Sequence, residues 1–456
     1  MQEREKLSSR FGFILLSAGC AIGLGNVWRF PFITGKYGGA GFVIIYLFFL
    51  LLLGLPIMAM EFAIGRASKQ NIGLALKTLE KPGTKWHIYG PFAIAGNYIL
   101  LMFYTTITGW LLYYFYSAAT GAFVNTTPDA VNTYFGALLA SPYKQIFWMI
   151  LAVVVVFAIV LQGLKNGVEK FTKWMMVCLL FLMLALSINS VLLPNAGDGI
   201  AFYLKPSFTH LKEAGLFEGI YAALGQAFFT LSLGIGAMSI FGSYIDKKNT
   251  LAGESIRVIG LDTFVALMSG LIIFPACSSF GVEVGAGPSL LFITLPNVFS
   301  KMPGGLVWGA LFFLFMAFAA LSTLITVSEN IVSYWIDCKG WTRKKACLVN
   351  ALLIIVLSLP CILGFNVLSG FQPFGPGSGV LDLEDFFVSN LLLPIGSLIF
   401  LLFCTNRYGW GWKSFLKEAN TGKGIKYPEW ARIYVAYILP VIILFVMLKG
   451  IIDLIF

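Results

Sequence analysis

The fold is decided by one short stretch of the chain, AGCAIGLGNVWRFP at residues 18–31. This stretch lies inside an apolar run long enough to cross a membrane, yet it carries clustered glycines, the polar Asn26, the charged Arg29 and Pro31. A broken helix in lipid leaves backbone groups without hydrogen-bond partners, so a break is tolerated only where the chain lines a cavity or contacts ions. The stretch therefore predicts a break of this kind in the first membrane span.

The rest of the sequence is that of a protein with many membrane spans. Of its 456 residues, 58% are hydrophobic and only 11% are charged, whereas soluble domains carry about 25% charged residues. A bilayer core of roughly 30 Å requires about 20 apolar residues in a helix. No long linker interrupts the chain, so we expect one all-α polytopic membrane domain over residues 1–456 with eleven transmembrane helices. The predicted spans are 11–35, 41–66, 88–118, 145–163, 168–192, 217–243, 255–280, 305–336, 346–364, 386–405 and 431–455.

The connections between these spans differ in charge on the two sides of the membrane. Of the 31 Lys and Arg residues, 24 lie in the N-terminal segment and in alternate connections, and basic loops stay cytoplasmic. We therefore expect a multi-pass protein of the cell membrane with a cytoplasmic N-terminus and an extracellular C-terminus. This bias explains the net charge of +10, and the sequence indicates neither a nucleic-acid partner nor an obligate protein partner.

The residues needed for catalysis are not grouped in this sequence. Seven cysteines are scattered without CxxC spacing and there are only two histidines, which argues against a zinc site or a Ser-His-Asp triad. A nucleotide-binding glycine loop does not fit, because Trp28 stands where the motif needs its last glycine. We expect no enzyme activity and no organic cofactor.

A second cluster of glycines interrupts the sixth predicted span, in TLSLGIGA at residues 230–237. The two interrupted spans are five apart, so a second five-helix unit would enter the membrane from the opposite face. Glycine breaks at matching positions of two inverted halves point to the binding site of a secondary transporter. We therefore predict a 5+5 inverted repeat with discontinuous helices 1 and 6. The expected units are 1–192 and 193–405, followed by a cytoplasmic loop and an accessory eleventh helix in 406–456.

Charged residues inside spans are candidate functional groups, because each costs about 2.5–3.5 kcal/mol on insertion scales. The candidates are Arg29, Glu61, Asp262 and Glu329, and Asp385 at the outer mouth of the tenth span. Charges near the outer mouth could pair to close an external entrance, and charges near the cytoplasmic end could close an internal one. The alternative is that these are ordinary boundary charges. The two candidate pairs are Arg29 with Asp385 outside, and Arg4 with Asp337 inside.

Two adjacent hydroxyls in the eighth span are candidate cation ligands. Ser322 and Thr323 follow small residues, and with the carbonyls of Gly19 and Ile22 they would form an oxygen cage. Oxygen ligands without Cys or His suit a small hard cation such as Na⁺. The alternative is hydrogen bonding of both hydroxyls within their own helix.

Together these residues resemble the neurotransmitter:sodium symporter family, in particular its bacterial amino-acid transporters with the leucine-transporter fold. The resemblance extends over almost the whole chain. It is carried by GLGNVWRFP at 23–31, PIMAME at 56–61, Gly65-Arg66, QAFFTLSLGIG at 226–236 and Ser243-Tyr244.

The resemblance implies two sodium sites and a substrate site at the two breaks. The first sodium site would comprise the substrate carboxylate with Ala21, Asn26, Thr230 and Asp262. The second would comprise the carbonyls of Gly19, Ile22 and Ala319 with Ser322 and Thr323. The substrate would contact Ala21, Gly23, Leu24, Gly25, Leu100, Tyr104, Ile107, Phe229, Thr230, Ser232, Ile235, Thr323 and Val327.

The resemblance also implies how the site is closed. Phe229 over Tyr104 would form an aromatic lid, and the outer gate would be the pair of Arg29 and Asp385. The inner gate would be formed by Arg4, Asp337 and Tyr244.

Three positions refine this expectation. Monoamine transporters of the family have an Asp at the position of Gly23, so glycine favours an amino-acid substrate. Asp262 stands where an Asn is common, and a fixed carboxylate beside Na⁺ predicts independence of chloride. Many members have a Pro at the position of Val177, ten residues after Gly167. Val favours an intact helix there and predicts slow inward release of sodium.

The predicted function is sodium-coupled import of neutral hydrophobic or aromatic L-amino acids, such as Leu, Phe, Tyr or Trp, by alternating access. The apolar pocket lining carries no charge that would fix a polar side chain. One alternative is a proton-coupled or sodium-independent amino-acid exchanger of the same architecture. Another is a membrane receptor that binds an amino acid without transporting it.

Overall fold

The structure is a computed structural model that describes residues 7–282 and 289–455, the last three of these by backbone only. Within these residues, nine helices are long and apolar enough to cross a membrane, and one bent pair of helices forms a further span. Two shorter helices, Leu216–Thr230 and Ala237–Tyr244, correspond to the predicted sixth span, so the count is close to the predicted eleven. The spans are, in order, Arg10–Ala21 with Gly25–Lys36, Ala40–Ser68, Trp86–Ala119, Pro142–Leu161, Leu164–Val191, Leu216–Thr230 with Ala237–Tyr244, Leu251–Phe280, Gly305–Lys339, Arg343–Leu363, Val380–Thr405 and Ala431–Ile452.

Span one is broken where the sequence predicts it. Ser9 caps the first half-helix by accepting a hydrogen bond from the Gly12 N–H at 3.0 Å. The helix ends at Ala21, Ile22 takes an extended conformation, and the second half-helix leaves at an angle of 57°. The predicted discontinuity of span one is confirmed.

Span six is broken at residues 231–236, between its two helices. Gly234 and Gly236 have φ angles of 104° and 74°, a region that glycine enters without steric cost. The freed backbone groups find side-chain partners: the Gly234 N–H donates to Glu61 Oε1 at 2.5 Å and its carbonyl accepts from the Tyr89 hydroxyl at 2.6 Å. The break is therefore satisfied from neighbouring spans, as a break at membrane depth requires.

Span eight lies at the centre of the bundle, where it packs against spans one, three and five. The inner helix of span six packs against span two, and there the backbones approach so closely that a Cβ atom on Gly65 would overlap the Ser239 carbonyl. Span one is held to span seven by the Ser269 hydroxyl, which donates to the Asn26 carbonyl at 2.7 Å. These contacts place both breaks side by side in the bundle centre.

Short helices cover the side of the bundle that is predicted to be outer. One of them, Leu290–Lys301, is apolar. Other outer helices were not predicted, because they are short and carry no long apolar pattern. They are Pro128–Leu139, Gly197–Leu204 and Phe208–Glu213.

On the side predicted to be cytoplasmic, the connection between spans ten and eleven is docked onto span two. Arg66 is fully buried, and its guanidinium donates to Glu418 Oε1 and to the Asn249 carbonyl, each at 2.7 Å, as well as to the Glu418 carbonyl. Lys247 also reaches the Glu418 carboxylate, at 2.9 Å. Glu418 lies on a short helix, Trp412–Ala419. This connection is therefore an integral part of the packed structure.

Candidate functional site

A small cavity lies between the two breaks in the bundle centre. Its volume is about 20 Å³, enough for one water molecule. Nine of its lining residues are among those predicted to contact substrate. The lining consists of Ala21, Gly23, Gly25, Leu100, Tyr104, Phe229, Ser232, Ile235, Thr323, Val388 and Leu393.

Four predicted substrate contacts lie elsewhere. Leu24 and Ile107 line a larger vestibule on the outer side of the cavity, with a volume of about 260 Å³. Thr230 belongs to a polar cluster beside the cavity, and Val327 is buried outside its lining. Phe229 lines both the cavity and the vestibule, so its ring stands between them. This is the position expected of an aromatic lid.

Two polar groups of the predicted substrate site meet at the break of span one. The Leu24 N–H donates to the Tyr104 hydroxyl at 2.9 Å, and the Gly23 N–H donates to Asn26 Oδ1 at 3.0 Å. Leu24 immediately precedes the second half-helix, whose N-terminal end carries partial positive charge. The arrangement suits a carboxylate, since N–H groups and a tyrosine hydroxyl can both donate to it.

The predicted first sodium site is assembled as one buried cluster. Asn26 Nδ2 donates to Asp262 Oδ1 at 2.8 Å, and the Thr230 hydroxyl donates to Asp262 Oδ2 at 3.2 Å. All three side chains are buried, and none of the ion pairs formed within the described chain involves Asp262. A buried carboxylate held only by neutral donors is a costly arrangement unless a cation balances it. The cluster therefore fits a bound cation.

The predicted second sodium site is also brought together. The Thr323 hydroxyl lies 3.2 Å from the Ile22 carbonyl oxygen and 3.4 Å from those of Gly19 and Ala319. The neighbouring Ser322 hydroxyl donates to the Ala319 carbonyl at 2.9 Å. No group of three or more His, Cys, Asp or Glu residues suited to a metal occurs in the described chain. The donors here are neutral oxygens, which favour a hard monovalent cation over a transition metal.

The predicted outer gate residues share the vestibule without forming an ion pair among the described residues. The Arg29 guanidinium lies over the Phe229 ring, 4.5 Å from its centroid. Asp385 instead accepts a hydrogen bond from the Ser389 hydroxyl at 2.8 Å. Arg29 therefore contacts the lid, and Asp385 faces it from span ten.

The predicted inner gate is only partly within the described residues, because Arg4 lies outside them. Asp337 accepts from the Asn71 N–H at 3.1 Å, and the Tyr244 hydroxyl donates to Glu329 at 3.0 Å. Glu329 is also held by two hydrogen bonds from Arg343, at 2.7 and 3.0 Å. The sequence singles out Glu329 as a buried charge, but its partner Arg343 was missed.

Comparison with known proteins identifies the family. A model of the Sodium:neurotransmitter symporter family matches residues 4–133 and 141–455. The chain is 34% identical to YhdH of Bacillus subtilis (strain 168), an uncharacterized sodium-dependent transporter, over 99% of both chains. It is 33% identical to an uncharacterized sodium-dependent transporter of Methanocaldococcus jannaschii, over 97% of this chain and 89% of the relative.

A solved protein structure is also similar to this chain over nearly its whole length. The crystal structure of MhsT in complex with L-phenylalanine superimposes with a TM-score of 0.87 and 36% sequence identity. The match covers 98% of this chain and all of that one. The all-helical fold with two broken spans is therefore that of a known transporter, and the predicted absence of enzyme activity agrees with it. The chain is a sodium-dependent membrane transporter that belongs to the sodium:neurotransmitter symporter family.

Proposed function

We propose that this transporter imports neutral hydrophobic or aromatic L-amino acids together with Na⁺. The observation that carries the proposal is a largely apolar cavity lined by Tyr104, whose hydroxyl is bonded to the Leu24 N–H at the break of span one. A carboxylate would bind these donors, and an apolar side chain would lie against Leu100, Ile235 and Val388. MhsT, which has the same fold, was solved with L-phenylalanine.

Two sodium ions would bind with the substrate, one at each oxygen cluster. The substrate carboxylate would complete the coordination that Asn26, Thr230 and Asp262 provide, so that substrate and Na⁺ stabilise each other's binding. Such mutual stabilisation is reciprocal by linkage and couples the two movements. Sodium moving inward supplies about 2.3 kcal/mol per charge for each 100 mV of membrane potential.

Chloride would not be required, because Asp262 supplies a fixed negative charge next to the first sodium site. We further propose a plasma-membrane location with the N-terminus inside and the C-terminus outside. Units 1–192 and 193–405 would form the two inverted repeats. A bundle made of spans one, two, six and seven would rock against the rest and so expose the site alternately to the two sides. Arg29 with Asp385 would close the outer side, and Arg4 and Asp337 with Tyr244 the inner side.

Uptake into sealed proteoliposomes tests this proposal. Labelled L-phenylalanine and L-leucine are offered with Na⁺ or K⁺ outside, and chloride is exchanged for gluconate. We expect accumulation that requires inward Na⁺ and is unchanged in gluconate. Accumulation without Na⁺ would favour an amino-acid exchanger. Sodium-dependent binding without accumulation would favour a receptor.

Replacement of Gly23 by Ala is expected to raise the KM for L-phenylalanine at least tenfold. A Cβ atom there would lie 2.8 Å from Thr323 Oγ1 and would overlap the Tyr104 hydroxyl, so it occupies the proposed carboxylate position. The matched control is Gly225→Ala, because a Cβ at Gly225 would have no neighbour within 4 Å. Equal KM values for the two variants would contradict the placement of the carboxylate.

Replacement of Val177 by Pro is expected to raise the turnover of sodium-driven uptake. Val177 lies inside the continuous helix Lys170–Val191, and Thr172 and Met176 of this helix lie against the backbone of Gly19 at the second cluster. Proline removes a helix hydrogen bond and weakens the helix by about 3 kcal/mol, which would open a path for water and sodium to the cytoplasm. Val177→Ala keeps the N–H and serves as the control. Unchanged turnover in Val177→Pro would refute the idea.

A further inference from the structure

An unpaired carboxyl group is buried in the outer part of span ten. Glu384 is only 5% exposed, and neither of its carboxyl oxygens has a hydrogen-bond partner among the described residues. It lies on the helix Val380–Phe386, which packs against spans three and nine. The substrate site and the proposed sodium sites do not include this group.

The same helix has two different faces. Leu381, Asp382 and Asp385 line the outer vestibule, together with Arg29 from span one. Val380 and Glu384, one turn apart, are both buried, and Val380 lies beside Gly364 at the end of span nine. Glu384 is therefore not among the residues that line the vestibule.

Among the described residues, no basic side chain forms an ion pair with Glu384. Its polar neighbour is the Cys361 thiol of span nine, which in turn lies next to the Thr106 hydroxyl of span three. No Asp, Glu, Lys, Arg or His occurs in residues 89–119 of span three. The same is true of residues 365–379, which precede the helix. The basic residues of span nine, at 343–345, lie roughly 24 Å away along the helix axis.

An ionised carboxylate without a counter-charge is costly inside a membrane bundle. The acid is therefore neutral in this conformation and holds a proton. If the helix moved away from spans three and nine, water would reach the carboxyl group and it would ionise.

The helix Val380–Phe386 is flanked by two irregular backbone segments that permit such a movement. The loop before it contains Gly375 and Gly377, with φ angles of 94° and 88°. After it, the chain forms a π-helical turn at Phe387–Leu392, a feature that often marks functional sites in helices. Val388 in this turn lines the central cavity, so the segment connects the vestibule with the substrate site.

We propose that Glu384 is a proton-binding site, occupied when the outer segment of span ten is packed and vacated to the outer solution when the vestibule opens. Substrate binding, which closes the site, then takes up one proton from outside. The coupling of proton uptake to substrate binding rests on the proposed function, whereas the proton-binding site at Glu384 is independent of it.

The first test compares proton release from the purified wild type and from Glu384→Gln by potentiometric titration. Gln has the shape of the protonated acid, so the variant should remain folded. We expect the wild type to release one more proton than Glu384→Gln between pH 5.5 and 8. Glu213→Gln, which changes an exposed outer residue, should titrate like the wild type in this range. Equal release by wild type and Glu384→Gln would overturn the proposal.

The second test measures L-phenylalanine binding in Na⁺ by calorimetry, in buffers of different ionisation enthalpy. We expect the wild type to take up one more proton per substrate bound than Glu384→Gln. Its Kd should rise by up to tenfold per pH unit, with a flat profile in the variant. Binding with identical proton uptake would overturn the coupling. Failure of the wild type to bind would refute the substrate proposal alone, because the first test needs no substrate.

Discussion

Replacement of Asp262 by Asn is expected to lower sodium-driven uptake in chloride-free solution by at least about 100-fold. The carboxylate is buried, and within the described part of the chain its side-chain partners are Asn26 and Thr230. Without it, a cation bound at this cluster has no balancing charge, and leaving one buried charge unpaired costs about 3–5 kcal/mol. Asn keeps the size of the side chain and its ability to accept a hydrogen bond, so the change isolates the charge.

The same variant should gain a dependence on chloride. A small anion that binds beside the cluster can replace the lost charge, so chloride outside should restore part of the uptake. Initial rates in gluconate and in chloride measure this directly. Asp129→Asn, at an exposed position of an outer helix, is the matched control and should transport equally in both solutions. Full activity of Asp262→Asn in gluconate would contradict the proposed charge balance.

Replacement of Thr323 by Val is expected to raise the Na⁺ concentration for half-maximal uptake at least tenfold. The Thr323 hydroxyl lies within 3.2–3.4 Å of three carbonyl oxygens from two spans. Val keeps the branched shape but removes the hydroxyl, and losing one partner from a buried polar set costs about 1–3 kcal/mol. A weaker second sodium site follows, while the fold of span eight is retained.

Thr326→Val provides the control on the same helix. The Thr326 hydroxyl is equally buried but bonds the carbonyls of Ser322 and Thr323 in its own helix, at 3.0 and 2.8 Å. Its replacement should leave the sodium dependence within about twofold of the wild type. Similar shifts of the sodium dependence in both variants would support the alternative interpretation of the sequence. In that interpretation the Thr323 hydroxyl bonds only to carbonyls of its own helix.

The breaks could be predicted because glycines and polar groups stand out inside apolar runs. Asn26 and Asp262 are exceptional residues in spans, and the structure places them 2.8 Å apart. The two glycine clusters are five predicted spans apart, and this spacing led to the prediction of two inverted five-helix units. Their roles in binding remain predictions.

Other residues gave no signal of this kind. Val388 and Leu393 are apolar residues in an apolar span, and only the packing of span ten against the breaks makes them part of the cavity. Arg343 stands at the start of span nine, and only the turn after span eight brings it back to Glu329. Glu384 was not singled out, because its burial results from the packing of three helices.

The buried Arg66 has a consequence for the order in which the molecule is built. Its partner Glu418 lies 352 residues further along the chain. At synthesis rates of about 5–20 residues per second, that separation corresponds to roughly 20–70 s. Until then the guanidinium lacks the carboxylate that allows it to be buried, and it must stay in contact with water or headgroups. The C-terminal end of span two can therefore reach its final packing only after almost the whole chain has been made.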